Sequence, residues 1–356
     1  MLARIFSGAL ALLIVAWGFD PASASSPGAS GEASGGAADA DCAVDSLAAT
    51  LLTSWLQPVS GPRALAFSRE GNRLFVQQGG RFLLWQTEPA KLLMILSGSV
   101  EDPGESAAPL AGFASSFDGG LVAAGAADSV LIWDAQSGES VFRFAPEDFD
   151  HVPVRALTFT PEGRLLVGGG SGVVYVWDLE LRRQLAHFST YLMSWGALAA
   201  NPLGAELAAG GEAEGRSPLA LYSHLTGKRR RYLDGHFQGR VETIAYSPGG
   251  ILLASGDDSS LEIWDLCVGE RLHVVRSRGL SAGVLAFSPR GDVIVCPGAA
   301  GRLIATDPAS GKTRAEWTAH PESAVLALAF APDGRTLASA GDDGRIAVWR
   351  LSAFGQ

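Results

Sequence analysis

The chain has 356 residues, of which 47% are apolar and 18% are charged. This composition provides enough apolar material for a sizeable core and excludes a chain that is disordered throughout. The formal net charge of −10 argues against nucleic acid as a partner, because phosphates are repelled by an acidic protein.

Residues 1–24 have the pattern of a signal peptide. Arg4 supplies a positive charge, residues 5–19 are an uninterrupted apolar run, and Ala22 and Ala24 have the small-residue spacing of a cleavage site. An apolar run of about 15 residues is shorter than the roughly 20 that span a bilayer. We therefore expect cleavage after Ala24, no stable membrane insertion afterwards, and a periplasmic or secreted protein. A retained membrane anchor is the alternative.

Residues 25–45 are rich in Ala, Gly and Ser and predict a flexible, low-complexity tether. Cys42 lies in this tether.

Three cysteines are an odd number and imply no disulfide framework. Cys267 and Cys296 are expected at opposite ends of adjacent repeats, too far apart to pair. The spacing of His and Cys matches no metal site, so no metal or other cofactor is expected.

From residue 46 onward the chain repeats one pattern. "AYSPGGILLASGDDSSLEIWD" (residues 245–265) and "AFAPDGRTLASAGDDGRIAVWR" (residues 329–350) each contain a strand end, a turn with Pro and Gly, a second strand, a turn with two Asp, and a third strand ending in Trp. Seven copies are found, separated by 48, 44, 45, 42, 42 and 43 residues. These spacings suit a four-stranded unit. The third-strand anchors are Trp85, Trp133, Trp177, Tyr222, Trp264, Thr306 and Trp349.

This pattern resembles the WD-repeat β-propeller family, whose dipeptide stands here as Trp133-Asp134, Trp177-Asp178 and Trp264-Asp265. The resemblance implies an all-β fold: a single propeller over residues 46–356 with seven four-stranded blades. Too few residues follow Trp349 for a fourth strand, so we expect a strand from about Ala49 to Leu56 to complete the last blade. The signal-peptide pattern favours an exported member, and the Ala-, Gly- and Arg-rich, Lys-poor composition favours a bacterial one.

The family pattern also implies a buried hydrogen-bond network within a blade. The matching residues are His320, Ser339, Asp343 and Trp349 in blade seven, and His236, Ser255, Asp258 and Trp264 in blade five. Ser255 is one residue closer to its Trp than Ser339 is, which puts its membership in question. A His, Ser and Asp set could also be a nucleophilic triad. Because no G-x-S-x-G elbow surrounds either serine, we interpret both sets as structural and expect no catalytic residues.

Loops between blades provide candidate contacts for a partner. Aromatic side chains and arginine are enriched at binding hot spots, and those expected on one face of blades three to five are Phe149, Tyr191, Trp195, Phe237 and Arg240. The basic run Lys228–Arg231 is expected on the outermost strand of blade four, where charge discourages edge-to-edge pairing; contact with an acidic partner is its alternative role.

The sequence therefore predicts a monomeric, non-catalytic scaffold that binds a protein or peptide. Two alternatives stay open. One is an enzyme or small-molecule binder that uses the central channel, although the inner strands offer almost no charged or metal-binding residues. The other is a structural module of the cell envelope.

Overall fold

The structure is a computed structural model. It describes residues 47–56, 61–78, 80–96, 112–126, 129–144, 154–169, 172–190, 192, 194–212, 219–235, 240–257, 259–276 and 284–353. The predicted signal peptide, the predicted tether and Cys42 lie outside these ranges.

Seven four-stranded antiparallel sheets form the blades, and each blade is built from strands that follow one another in the chain except at the closing blade. The first strands, through blade three, are β1 (Leu47–Leu56), β2 (Ala64–Phe67), β3 (Arg73–Gln78), β4 (Arg81–Gln86), β5 (Lys91–Ile95), β6 (Phe113–Ser115), β7 (Leu121–Ala126), β8 (Ser129–Asp134), β9 (Ser140–Phe144), β10 (Val154–Phe159), β11 (Arg164–Gly169), β12 (Val173–Asp178) and β13 (Arg183–Ser189).

Blades four to seven follow the same plan. Their strands are β14 (Ser194–Ala200), β15 (Glu206–Glu212), β16 (Leu219–Ser223), β17 (Arg229–Leu233), β18 (Thr243–Tyr246), β19 (Leu252–Gly256), β20 (Ser260–Asp265), β21 (Glu270–Arg276), β22 (Ala286–Phe287), β23 (Ile294–Pro297), β24 (Arg302–Thr306), β25 (Thr313–Thr318), β26 (Val325–Phe330), β27 (Thr336–Gly341) and β28 (Arg345–Ala353). A short 3₁₀-helix, Ala299–Gly301, lies between β23 and β24.

The core is divided among the junctions between blades. Strand β20 shows why, because alternation sends Leu261 and Ile263 to one face and Glu262 and Trp264 to the other. Leu261 and Ile263 pack against blade six, and Trp264 packs against blade four. Each of the seven blade junctions holds one such apolar cluster.

Ring closure joins two distant parts of the chain. Strand β1 pairs antiparallel with β28, from Leu47 opposite Ala353 to Leu56 opposite Arg345. Trp55 of β1 also stacks on Trp85 of blade one, with ring centroids 5.3 Å apart. The seven-bladed, all-β fold and its completion by an N-terminal strand are confirmed, and that strand begins two residues before the predicted Ala49.

The antiparallel strand order gives the propeller two distinct faces. Turns between first and second strands and between third and fourth strands lie on one face, which we call the turn face. Turns between second and third strands, and the connections between blades, lie on the other face, which we call the loop face.

Cys267 follows β20 at the turn face and is exposed, whereas Cys296 is buried in β23; both thiols are free.

Within the described ranges, no helix is long and apolar enough to cross a membrane. The same residues include no group of three or more His, Cys, Asp or Glu side chains placed to hold a metal ion.

Candidate functional site

Blade seven contains a chain of side-chain hydrogen bonds. Trp349 Nε1 donates to Ser339 Oγ at 3.0 Å, and Ser339 Oγ lies 2.9 Å from His320 Nε2. An indole nitrogen only donates, so the serine hydroxyl accepts from Trp349. The ionised Asp343 carboxylate only accepts, so neutral His320 donates to it from Nδ1 and accepts from Ser339 Oγ at Nε2. The proton of His320 is then on Nδ1, which donates to Asp343 Oδ1 at 3.1 Å.

The surroundings of His320 favour its neutral form. Burial lowers the pKa of this imidazole, and the nearby Asp343 carboxylate opposes that shift only in part. Gly341 lies directly over the ring, where a side chain would collide with His320 Nδ1. His320 and Ser339 are both fully buried, so no substrate can reach the serine oxygen. The group joins β27 and β28 to the loop before β26 and to the turn between β27 and β28.

Blade five contains the corresponding Trp and Ser contact. Trp264 Nε1 donates to Ser255 Oγ at 2.9 Å. Trp264 is opposite Leu253 in the ladder, as Trp349 is opposite Leu337, so Ser255 and Ser339 have the same register position. The one-residue difference in sequence spacing is taken up by the turn that follows. His236 and Asp258 lie outside the described residues.

Other blades replace the serine with apolar residues. Val76 and Val167 stand at its register position in blades one and three. The Nε1 atoms of Trp85 and Trp177 are buried there without a hydrogen-bond partner among the described residues. In blade four, Tyr222 replaces the Trp and its hydroxyl donates to Thr190 O at 2.6 Å.

The predicted partner-binding residues are described only in part. Phe149, Tyr191 and Phe237 lie outside the described ranges, and Trp195 lies in β14 with its side chain undescribed. Arg240 is exposed, with its Nη2 3.5 Å from Glu242 Oε1. Their gathering into one surface on the loop face therefore stays a prediction.

The basic run lies on the edge strand where the sequence predicted it. Lys228 precedes β17, and Arg229, Arg230 and Arg231 are exposed on that strand. Arg229 lies over the ring of Tyr232, 4.0 Å from its centroid, while Arg231 lies against Gly269 of blade five. Among the described residues none of the four cations has a carboxylate within ion-pair distance.

Beside this strand is an apolar surface that the sequence analysis missed. Leu203, Leu225, Ile251 and Val268, which we call the turn-face patch, are between 56% and 74% exposed. They occupy turns of blades four and five. A comparison of the turns could have found the first of them, because Leu203 stands where blades one, two, three and seven have the acids Glu70, Asp118, Glu162 and Asp333.

The architecture defines the class of protein first: a closed, seven-bladed β-propeller. Comparison with known proteins then identifies its repeats. The family "WD domain, G-beta repeat" matches residues 146–178, 227–265 and 311–350. Each match ends one residue beyond Trp177, Trp264 or Trp349. Three of the seven repeats thus match the WD40-repeat family, in accord with the resemblance of the sequence pattern.

Curated relatives are similar to the chain over part of their own length. It is 26% identical over 211 residues to transcription initiation factor TFIID subunit 5 of Caenorhabditis elegans, covering 57% of the chain and 31% of that protein. Transcription factor unc-37 of Caenorhabditis elegans is 27% identical over 248 residues, covering 65% of the chain and 39% of the relative.

A third relative, telomerase protein component 1 of Mus musculus, is 27% identical over 307 residues, covering 83% of the chain and 11% of the relative. The chain thus spans at most about two fifths of the length of these proteins.

Proposed function

We propose that the chain is a non-catalytic platform that binds a protein partner through the turn face of blades four and five. The observation that carries this proposal is the turn-face patch beside the exposed cations of β17. One relative is named as a subunit of a transcription initiation factor, which accords with a role in a protein assembly.

Hydrogen bonds hold the turns of the patch together. Asn201 Nδ2 of blade four donates to Gly250 O of blade five at 3.0 Å, which brings the turns of Leu203 and Ile251 side by side. His224 N donates to Ala205 O at 3.1 Å, and Leu266 N donates to Ile251 O at 2.9 Å. Four exposed apolar side chains therefore occupy one fixed surface rather than scattered positions.

Charge beside the patch defines the partner. Lys228 follows the turn of Leu225 by three residues, and Arg231 reaches across to the turn of Val268. An apolar centre with a positively charged rim fits an acidic segment that carries apolar side chains, because charge complementarity at a rim sets specificity and association rate. The net charge of −10 for the chain makes this local positive rim distinctive.

The loop face is the alternative location, and it stays part of the proposal as the sequence predicted it. Phe149, Tyr191, Trp195, Phe237 and Arg240 are residue types of binding hot spots. Of these, Arg240 has a described side chain, and it is exposed. A partner on this face would lie on the opposite side of the ring from Leu203.

Site-specific crosslinking decides between the faces. A photoreactive amino acid at position 203 should yield an adduct with the partner, and the same group at position 240 should not. With the partner identified in this way, Leu203→Ser and Ile251→Ser should each weaken binding by more than about tenfold, the scale of a hot spot.

Phe117→Ser is the matched control, because Phe117 is a 51% exposed apolar residue of a turn on the same face of blade two. It should leave affinity and melting temperature unchanged. Loss of binding in Tyr191→Ala, Phe237→Ala and Arg240→Ala, with Leu203→Ser unaffected, would move the site to the loop face.

We also propose that the chain is exported, with residues 1–24 removed. Support comes from the charged start, the short apolar run and the Ala22-x-Ala24 pattern. N-terminal sequencing of protein from the periplasm or medium should begin at Ser25. Recovery of the intact chain in the membrane fraction would show a retained anchor.

A further inference from the structure

A cavity of about 380 Å³ opens on the turn face where blades six and seven meet. Its lining comes from the turn between β22 and β23, the start of β25, the end of β26 with the turn that follows it, and the ends of β28 and β1. This volume is in the range of pockets that bind small molecules. The cavity lies away from the turn-face patch and is independent of the proposed protein partner.

Four arginines converge on this cavity from four separate elements: Arg290, Arg314, Arg335 and Arg350. Arg290 comes from the turn of blade six and lies against Gly334 of the blade seven turn, where a side chain on Gly334 would be 3.3 Å from its Cγ. Such convergence of like charges is unfavourable unless something neutralises it.

The nearby carboxylates accept hydrogen bonds within their own turns, and the charge of Arg350 contributes to the lowered pKa of Asp333. Asp292 Oδ1 accepts a hydrogen bond from Ser288 Oγ at 2.6 Å. Asp333 accepts from Thr336 Oγ1 at 2.7 Å and from the backbone N–H groups of Arg335 and Thr336 at 2.9 and 2.8 Å. Within the described part of the chain, Arg290, Arg335 and Arg350 have no ion pair with any carboxylate.

One turn that lines the cavity has a positive charge where the equivalent turns of four other blades have a negative charge. The third position of the turn between first and second strands is acidic in blades one, two, three and seven, as Glu70, Asp118, Glu162 and Asp333, but it is Arg290 in blade six. Leu47, Val293, Phe330 and Leu351 supply apolar lining, and Ser288, Asp292, Gly334 and Ser352 complete it. The cavity thus combines four arginines and one carboxylate with partly apolar walls.

From these observations we propose that the cavity binds a small organic anion with at least two negative charges, of the phosphate-ester or polycarboxylate class. Guanidinium groups form paired hydrogen bonds with phosphate and carboxylate oxygens alike. Apolar walls accommodate a short carbon skeleton beside the anionic groups. The site is on the turn face between two blades, not in the central channel.

Calorimetric titration of the folded protein with pyrophosphate, phenyl phosphate and citrate tests the site and separates the two anion classes. At least one of these probes should bind with one-to-one stoichiometry. Arg290→Gln should weaken that binding by about tenfold or more, and Arg290→Glu, which restores the acid of the other blades, should abolish it. Arg290 is exposed on a turn, so neither variant should change the melting temperature.

Arg230→Gln is the matched control, since Arg230 is an exposed arginine of β17 on another blade. It should leave anion binding unchanged. The proposal is overturned if none of the three probes binds to the wild-type protein, or if Arg230→Gln weakens binding as much as Arg290→Gln does, which would indicate attraction to any surface cation.

Discussion

Blades six and seven are neighbours with the same strand plan, yet their interiors differ. Trp349 of blade seven is opposite Leu337, and Thr306 of blade six occupies the matching position opposite Ile294. Cys296 likewise stands at the register position of Ser339. Blade seven has the hydrogen-bond chain from Trp349 to Asp343, whereas Thr306 Oγ1 is buried without a partner among the described residues.

The difference shows that a blade can form without the hydrogen-bond chain found in blade seven. Blade six packs on both sides through apolar clusters that include Cys296, Ile294, Leu303 and Ala305. Burial raises the pKa of the Cys296 thiol to about 12, so this residue acts as a small apolar side chain. The network in blade seven therefore adds stability and rigidity at the blade that closes the ring.

The largest effect should come from removing the closing strand. Deletion of residues 47–56 leaves β28 with an open edge and removes Trp55 from its stack on Trp85. We expect loss of soluble folded protein, measured by expression and circular dichroism. Leu52→Ser, at a 39% exposed position on the same strand, is the control and should fold normally. An unchanged melting temperature after the deletion would contradict this role of β1.

Trp349→Ala should have the next largest effect. It removes a side chain that is only 7% exposed and leaves Ser339 without its donor, at a cost of about 3–5 kcal/mol in the free energy of unfolding. Thr306→Ala, at the matching position of blade six, should cost less than about 1 kcal/mol, since its hydroxyl lacks a partner there. Urea titration measures both. Equal losses would show that the network contributes little beyond packing.

Replacing Trp by Phe isolates the hydrogen bond from the packing. Trp349 and Trp177 are 7% and 8% exposed. Of these two, Trp349 donates to a serine, whereas Trp177 Nε1 has no hydrogen-bond partner among the described residues. Trp349→Phe should therefore cost about 1–2 kcal/mol more than Trp177→Phe in the same titration. The reverse order would remove the distinction between blades that have the network and blades that lack it.

Acidification should have the smallest effect. Burial lowers the pKa of His320 in the folded protein below its usual value of 6.5, so the unfolded chain binds the proton more readily. The stability contributed by neutral His320 is complete above about pH 6.5 and declines as the pH falls below that value. His320→Asn should lose this part of the pH dependence, as measured by thermal melts from pH 7.5 to 5.

Burial lowers the pKa of His224 as well, so a remainder of the pH dependence should persist in His320→Asn and disappear only when His224 is also replaced. Identical pH dependence in the wild type and His320→Asn would mean that the network does not hold His320 neutral.

The sequence by itself determined the number of blades, their strands and the closing partner of β28. The first two follow from turn residues at regular spacing and alternating apolar residues, and the third from a strand-like segment before blade one that has no other partner. The WD-repeat resemblance identified His320, Ser339 and Asp343 as partners of Trp349, because that network is a local property of one blade.

Tertiary structure decided the candidate sites. Ser255 joined Trp264 because ladder register, not residue count, sets which side chains face each other. The turn-face patch joins turns of two blades, and the arginine cavity joins turns and strand ends of two others. Leu203 and Arg290 each depart from the acid of the equivalent turns, but what surrounds them depends on the neighbouring blade. The residues of each site come together only when neighbouring blades pack in the closed ring.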